Sequence, residues 1–150
     1  MDVNELHSLM KLHNQVALKM KQKWEEAGIQ ALIMPNHPIP AFKAADSKSV
    51  GTLRDYQIMW SVLHYPAGTV PMTVMLDEES TYDDEFNDLW TNAIRKDIAG
   101  TAGMPIGVQV VGQRWDDEIV LGVMKAIDET VLSLPENPRP ISQLAKEPAA

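Results

Sequence analysis

Apolar residues recur through the first helix-length stretch at steps of one to four. Leu6, Leu9, Met10, Leu12, Val16, Met20 and Trp24 fall mostly on one helical face, and Lys11, Lys19, Lys21, Lys23 and Glu25 fall mainly elsewhere. Asp2 followed by Glu5 has the spacing of a capping box, and Gly28 suits the left-handed position that ends a helix. Ile29 to Met34, closed by Pro35, is a short apolar run and predicts a buried strand. Residues 35–51 carry three prolines without periodicity and predict a loop. Thr52 is placed to cap a second helix from Leu53 to about Leu63, whose apolar residues cover most of its circumference and predict burial. Pro66-Ala67-Gly68 breaks that helix. Thr69 to Met75 is strand-like, with Pro71 marking an edge, a bulge or a strand end.

Seven acids then occupy residues 77–88, followed by Phe86, Leu89, Trp90, Ala93 and Ile94 at helical spacing. Ala99 to Gly103 is small and flexible. From Ile106 to Gly112 the pattern alternates, with Ile106, Val108 and Val110 on one face and Gln109 and Val111 on the other. Asp116 can cap a last helix whose stripe is Ile119, Val120, Val123, Met124, Ile127 and Val131. Residues 133–150 hold four prolines and no pattern, which predicts a tail separate from a structured segment over residues 1–132. Helices alternating with short apolar strands define an α/β class. Three strands make a narrow sheet, and a helix that is apolar all round needs cover on several sides, so these elements read as part of a larger sheet.

Composition narrows the function. A net charge of −8 over 150 residues disfavours general binding to nucleic acid or anionic lipid. The absence of cysteine removes disulfides, thiol nucleophiles and thiolate metal sites. No apolar run approaches the roughly 20 residues that span a bilayer, and the polar start, Met1 to Glu5, is unlike a signal peptide. The location expected is cytoplasmic or peripheral at a membrane.

Catalytic patterns are sparse. There is no Gly-x-Ser-x-Gly turn, and Ser47-Lys48-Ser49 lacks a glycine-rich cradle. His7, His13, His37 and His64 do not have metal-ligand spacing, and His64 sits where it would stabilise a helix C-terminus. The acidic run lacks the spacing of a calcium loop and reads as a solvated surface, and Gly100-x-x-Gly103 is not a phosphate loop. Neither a metal nor a cofactor is expected.

The run Gly103-Met104-Pro105-Ile106-Gly107-Val108-Gln109-Val110-Val111-Gly112, followed by Trp115-Asp116-Asp117-Glu118-Ile119-Val120-Leu121, resembles the closing strand and acidic-capped helix of amidase-signature enzymes. Trp24, then Ile29 to Pro35, is similar to a helix-into-strand segment of the fatty acid amide hydrolase branch. So are Tyr56 to Met72, with its Pro-Ala-Gly turn, and Phe86-Asn87-Asp88-Leu89-Trp90. The resemblance covers about residues 5–130 in order. It departs at Ser61 and His64, where that branch commonly has Asn and Asp, neither of them catalytic.

The resemblance implies the C-terminal part of the amidase-signature fold, a mixed sheet covered by helices and incomplete on its own. It implies a serine amidase acting without a cofactor on amides, including those of fatty acids, and so a place in lipid metabolism. The family's glycine- and serine-rich signature and its Ser–cis-Ser–Lys triad match nothing in this sequence, so no catalytic residue carries over. The expected partner is an N-terminal catalytic half or a partner chain, and the expected substrate of the whole enzyme is an amide. Gly51, Ile58, Phe86 and Trp90 match positions of the family's acyl-chain pocket, with ordinary core packing as the competing role. Two other readings stand beside this one. The first is a non-catalytic, amidase-derived structural or binding subunit. The second is the C-terminal piece of a glutamine-dependent amidotransferase subunit, against which the Tyr56–Met72 and Phe86–Trp90 segments argue.

Overall fold

The computed structural model describes residues 2–42, 51–82 and 85–135. Helix α1 spans Val3–Ala27. The Glu5 amide donates to Asp2 at 2.8 Å, and the Asp2 amide donates back to the Glu5 carboxylate at 2.8 Å. This capping box satisfies two amides that a helix start otherwise leaves unpaired. Gly28 ends the helix at φ 65°, as the sequence predicts. The apolar stripe of α1 is engaged only toward its C-terminal end. Trp24 is buried and Ala17 and Met20 pack beside it, whereas Leu6, Leu9, Met10, Leu12 and Val16 are exposed.

Strands β1 (Ala31–Pro35), β2 (Ala67–Val74) and β3 (Pro105–Gly112) form a sheet in the order β1-β3-β2, antiparallel throughout. The alternating strand β3 is the central one, and its Gln109, Val110, Val111 and Gly112 are buried. Strand β1 is an edge, and this corrects the expectation of a buried strand. Ile33 is 54% exposed, because among the described residues nothing pairs with the outer side of β1. The proline in β2 behaves as expected: β2 is the other edge, and its register with β3 shifts between Pro71 and Thr73.

The sheet carries helices on both faces. Helix α2 (Asp55–Leu63) follows a 3-10 turn at Gly51–Arg54. The expected Thr52 cap is replaced by this turn; Arg54 stands at the cap position with no side-chain cap. Trp60 and Leu63 of α2 are buried with Val111 of β3, and the Gln109 amide donates to the Tyr56 carbonyl at 3.1 Å. Tyr56, Ile58, Met59 and Val62 are exposed, so the all-round apolar helix is covered on one side only. On the opposite face lies α4 (Asp117–Ser133), with Val120 and Val131 buried and Ile119, Val123, Met124 and Ile127 half-buried. Glycines allow this close approach. A Cβ at Gly112 would stand 2.6 Å from Val120 Cγ2, and one at Gly68 would meet the Met124 thioether.

Residues 76–103 are an excursion between β2 and β3. It is closed by bonds from Met75 N to Met104 O (2.8 Å) and from Gly103 N to Met75 O (2.9 Å). It holds a 3-10 turn at Asp77–Glu79 and helix α3 (Leu89–Ile98). The helical spacing predicted from Phe86 onward begins at Leu89, and Phe86 lies in the lead-in. Asp83 and Asp84 of the acidic run, Ser47 to Ser49, and the tail from residue 136 lie outside the described residues.

Substituting Val120→Asp is expected to place an uncompensated charge in the seam between α4 and β3, lowering stability by about 3–5 kcal/mol. Val123→Asp, at a half-buried position, should destabilise less. Urea midpoints of the two variants check this; a Val123 effect equal to or above that at Val120 contradicts the seam as described.

Candidate functional site

A cavity of about 650 Å³ is walled, among the described residues, by the 36–42 loop, by Arg54 and Gln57 at the start of α2, and by Pro105 to Gly107 at the start of β3. Pro35 ends β1, and prolines at 38 and 40 keep the loop from continuing the strand. Local bonds then shape it. His37 Nδ1 lies 3.0 Å from the Ile39 carbonyl and 3.3 Å from the Ile39 amide, and its ring leans on Phe42 at 5.5 Å. Ile39 is buried. Gln57 Nε2 donates to Asn36 Oδ1 at 2.9 Å, tying the loop to α2.

Of the residues matched to an acyl pocket, Ile58, Phe86 and Trp90 lie elsewhere. Gly51 begins the 3-10 turn ahead of α2, and Ile58 follows on α2 with 45% of its surface exposed. Phe86 and Trp90 are 63% and 47% exposed. Ile58, Phe86 and Trp90 line neither the 650 Å³ cavity nor the smaller hollows beside Trp115 and along α1. Phe86 and Trp90 are held together by one cap. Asp88 Oδ1 accepts from the amides of Trp90 (2.9 Å) and Thr91 (2.8 Å), while Thr91 Oγ donates to the Phe86 carbonyl at 2.6 Å. The bond from the Thr91 amide holds the Asp88 carboxyl below the usual carboxylate range against desolvation, with the Thr91 hydroxyl and Trp90 amide adding to it.

The described serines are turned to local backbone. Ser8 donates to Asn4 O (2.9 Å), Ser61 to Gln57 O (3.4 Å), Ser80 to Asp77 O (2.6 Å) and Ser133 to Thr130 O (2.6 Å). Among the described residues no group of three His, Cys, Asp or Glu is placed to hold a metal ion. His64 takes the left-handed position after α2, at φ 57°. The carbonyls at that helix end are met by other basic groups. His13 Nε2 lies 2.7 Å from Val62 O, and Arg114 Nε donates to Leu63 O at 2.8 Å. Burial pushes the nearby Tyr65 hydroxyl above its ordinary value, with Arg114 pulling it down and Glu25 pushing it up.

Sequence reasoning passed over Asn36, Arg54, Gln57 and Ile106 as a group. One signal was available: Arg54 is the lone cation between residues 51 and 63.

Comparison with known proteins places this architecture. A model of the amidase family matches residues 4–121, and the chain belongs to that family. It is 35% identical over 121 residues to fatty acid amide hydrolase 1 of Caenorhabditis elegans, covering 77% of this chain and 20% of that protein. It is 26% identical over 110 residues to fatty-acid amide hydrolase 1 of Sus scrofa, covering 71% of this chain and 19% of that protein. An amidase of Gibberella moniliformis (strain M3125 / FGSC 7600) is 31% identical over 111 residues, covering 72% of this chain and 18% of that protein. The fold matches a solved fatty acid amide hydrolase with a TM-score of 0.65 at 20% identity, over 89% of this chain and 24% of that one. The chain thus spans about a fifth of the length of these curated relatives. No helix among the described residues is long and apolar enough to cross a membrane.

The Asp88 cap sets the geometry around Trp90. Its carboxyl titrates lower in the folded than in the unfolded chain, so its stabilising contribution is fully present above the unfolded value, about pH 4. It is lost as pH falls through the folded value. Asp88→Ala is expected to reduce hydrogen-exchange protection across Thr91 to Ile98 at pH 7 while leaving β3 and α4 unchanged. Equal protection in both proteins at pH 7 contradicts the cap.

Proposed function

We propose that the chain is the C-terminal portion of a serine amidase that hydrolyses amides, among them those of fatty acids. It supplies sheet strands and pocket wall, while the Ser-Ser-Lys machinery comes from another part of the protein or from a partner chain. The observation that carries this reading is the match in order of both sequence and fold to fatty acid amide hydrolases over most of this chain and a small share of theirs. Among the described residues the outer edges of β1 and β2 are unpaired, and with the exposed side of α2 they suit docking of further strands and helices. The described serines support it too, since each is turned to a backbone carbonyl rather than to a base.

On this reading the 150-residue chain alone hydrolyses neither oleamide nor a short-chain amide, and a fluorophosphonate labels none of its serines. Removing a serine nucleophile or its base lowers turnover by about 10⁶-fold. Turnover with stoichiometric labelling of one serine in this chain would overturn the proposal. Activity gained by adding a chain that bears the glycine- and serine-rich signature supports it, and its absence in the assembled complex favours a purely structural subunit.

Gly51, Ile58, Phe86 and Trp90 are proposed as wall of the acyl channel, open to a ligand because the latter three side chains are substantially exposed. In the whole enzyme, Trp90→Ala is expected to change kcat/KM for long acyl amides relative to short ones by about 10–200-fold, the range for methylene-scale contacts. Equal loss across chain lengths would instead mark Trp90 as a packing residue.

A further inference from the structure

We infer that the hollow of about 430 Å³ beside Trp115 is a binding site for a free aromatic α-amino acid, with Arg114 meeting its carboxylate, Asp117 its ammonium group and Trp115 its ring. This inference concerns binding alone and does not depend on the amidase reading.

The backbone around the hollow is braced on both sides. One wall is His64 to Pro66, just after α2, and the other is the turn from Gln113 to Asp116 that leads β3 into α4. The Gly112 amide donates to the Pro66 carbonyl at 3.0 Å and ties the walls together, and the Asp116 amide donates to the Gln113 carbonyl at 3.1 Å and closes the turn. Arg114 Nε crosses to the Leu63 carbonyl at 2.8 Å, and the His64 ring rests edge-on against His13 of α1 at 5.8 Å. Trp115 is the third residue of its turn at φ 73°, and His64 follows α2 at φ 57°. Among the described residues these are the two non-glycine residues with positive φ, and both line this hollow. Side chains rarely take that conformation, and strain of this kind gathers at ligand sites. Packing does not account for Trp115, whose surface is 89% exposed.

The chemistry follows from the side chains. Arg114 and Asp117 border one hollow with opposite charges and make no ion pair with each other. The bond to Leu63 uses Arg114 Nε and leaves the two terminal nitrogens, the part of the fork that grips a planar carboxylate. The Asp117 carboxylate accepts no hydrogen bond from a described residue and is open to a cation. A ligand that satisfies both carries an anion and a cation side by side, as the α-carboxylate and α-ammonium of an amino acid are. A ligand with one charge leaves the other side chain unmatched. The remaining lining is ring-bearing: His64, Tyr65, Pro66 and Trp115. Such a wall favours an aromatic side chain, through offset and edge contacts, over an aliphatic one. An indole face also attracts the ammonium group. The volume falls in the roughly 300–1,000 Å³ range of small-molecule sites.

The test uses the protein carrying this sequence, titrated with L-phenylalanine, L-leucine, phenylpropanoate and phenethylamine, by calorimetry and amide chemical shifts. L-phenylalanine is expected to bind at least about tenfold tighter than phenylpropanoate, which lacks the ammonium group, and than phenethylamine, which lacks the carboxylate, ~1.4 kcal/mol in each case. The shifts should centre on His64, Tyr65 and Gln113 to Asp117. Asp117→Asn should remove the advantage over phenylpropanoate, and Arg114→Met the advantage over phenethylamine. Arg114 also bonds Leu63, so should Arg114→Met fail to fold, Asp117→Asn, which breaks no bond, carries the charge test. Trp115→Gly should weaken L-phenylalanine binding at least about tenfold while keeping the parent melting midpoint, because glycine accepts the positive φ and an exposed indole is removed. Equal affinity for L-phenylalanine and either single-charge analogue, L-leucine binding as tightly as L-phenylalanine, an advantage that survives Asp117→Asn, unchanged binding by Trp115→Gly, or shifts centred on Asn36 to Phe42 would each overturn the inference. Because binding is read without turnover, loss of the amidase reading would leave this result standing.

Discussion

Three aromatic rings set against Val111 hold the layers of this chain together. Trp24 of α1 meets Trp60 of α2 edge-on at 6.1 Å and Tyr65 at 5.6 Å, and Trp60 meets Tyr65 at 5.9 Å. Such tilted and T-shaped pairs satisfy the ring quadrupoles and bury large areas at once. The Trp60 indole also donates to the Met34 thioether at 3.1 Å, which ties α2 to edge strand β1. Trp24 is the one buried residue of α1, so the attachment of a 25-residue helix runs through a single indole and its neighbours Ala17 and Met20. His13 reaching the Val62 carbonyl is the second tie, and it acts at the otherwise unpaired C-terminal carbonyls of α2.

The other face of the sheet works by close approach rather than by bulk. Val120 sits where a side chain at Gly112 would stand, and Met124 sits over Gly68. Gly107 faces Thr69 Cγ2 and the Val70 carbonyl of the neighbouring strand, so the strand pair itself also leaves no room for a Cβ there. Large rings on one face and missing Cβ atoms on the other fix how far each helix layer stands from β3. That spacing places the start of α2, with Arg54 and Gln57, across from the start of β3, with Ile106 and Gly107, and the cavity is the gap between them.

Much of this was legible in the residues. The Asp2–Glu5 box, Gly28, the Pro71 irregularity, the alternation of β3 and the stripe of α4 each rest on short-range geometry, and each has its counterpart in the fold. What failed was everything that depends on neighbours. An apolar run such as 29–34 reads as buried whether it is central or at an edge, and only pairing decides which. The apolar circumference of α2 and the stripe of α1 likewise report a preference for cover without saying what supplies it. The cavity was illegible for the same reason: Asn36, Arg54 and Ile106 are far apart in sequence and meet only through the register of β3 with β1 and the placement of α2. Gly51, Ile58, Phe86 and Trp90 came from family resemblance alone, and nothing in the periodicity separates them from other apolar surface positions.

The exposed apolar surface has a pattern that bears on how such a piece works in a larger protein. It includes Val3 to Leu18 of α1, the outer side of α2, Ile33 of β1, the start of α3, and Trp115, Leu121 and Leu132 at and along α4. The faces turned toward β3 are by contrast closed by the aromatic cluster and by the glycine contacts. A segment built this way keeps its own strand register and helix spacing, because those are set internally, while its outward surfaces remain available for contact. Patches of this kind ordinarily mark interaction surfaces. The aromatic Phe86 and Trp90 belong to that outward set, whereas Asn36, Gln57 and Ile39 belong to the internally braced part. A partner seated on the outer face of α2 would therefore reach Ile58 directly, but would influence the cavity only through α2 itself, whose first turns carry Arg54 and Gln57 and whose last turn is pinned by Trp60 and Leu63. Rigid packing at that last turn is what would let the two regions be shaped independently.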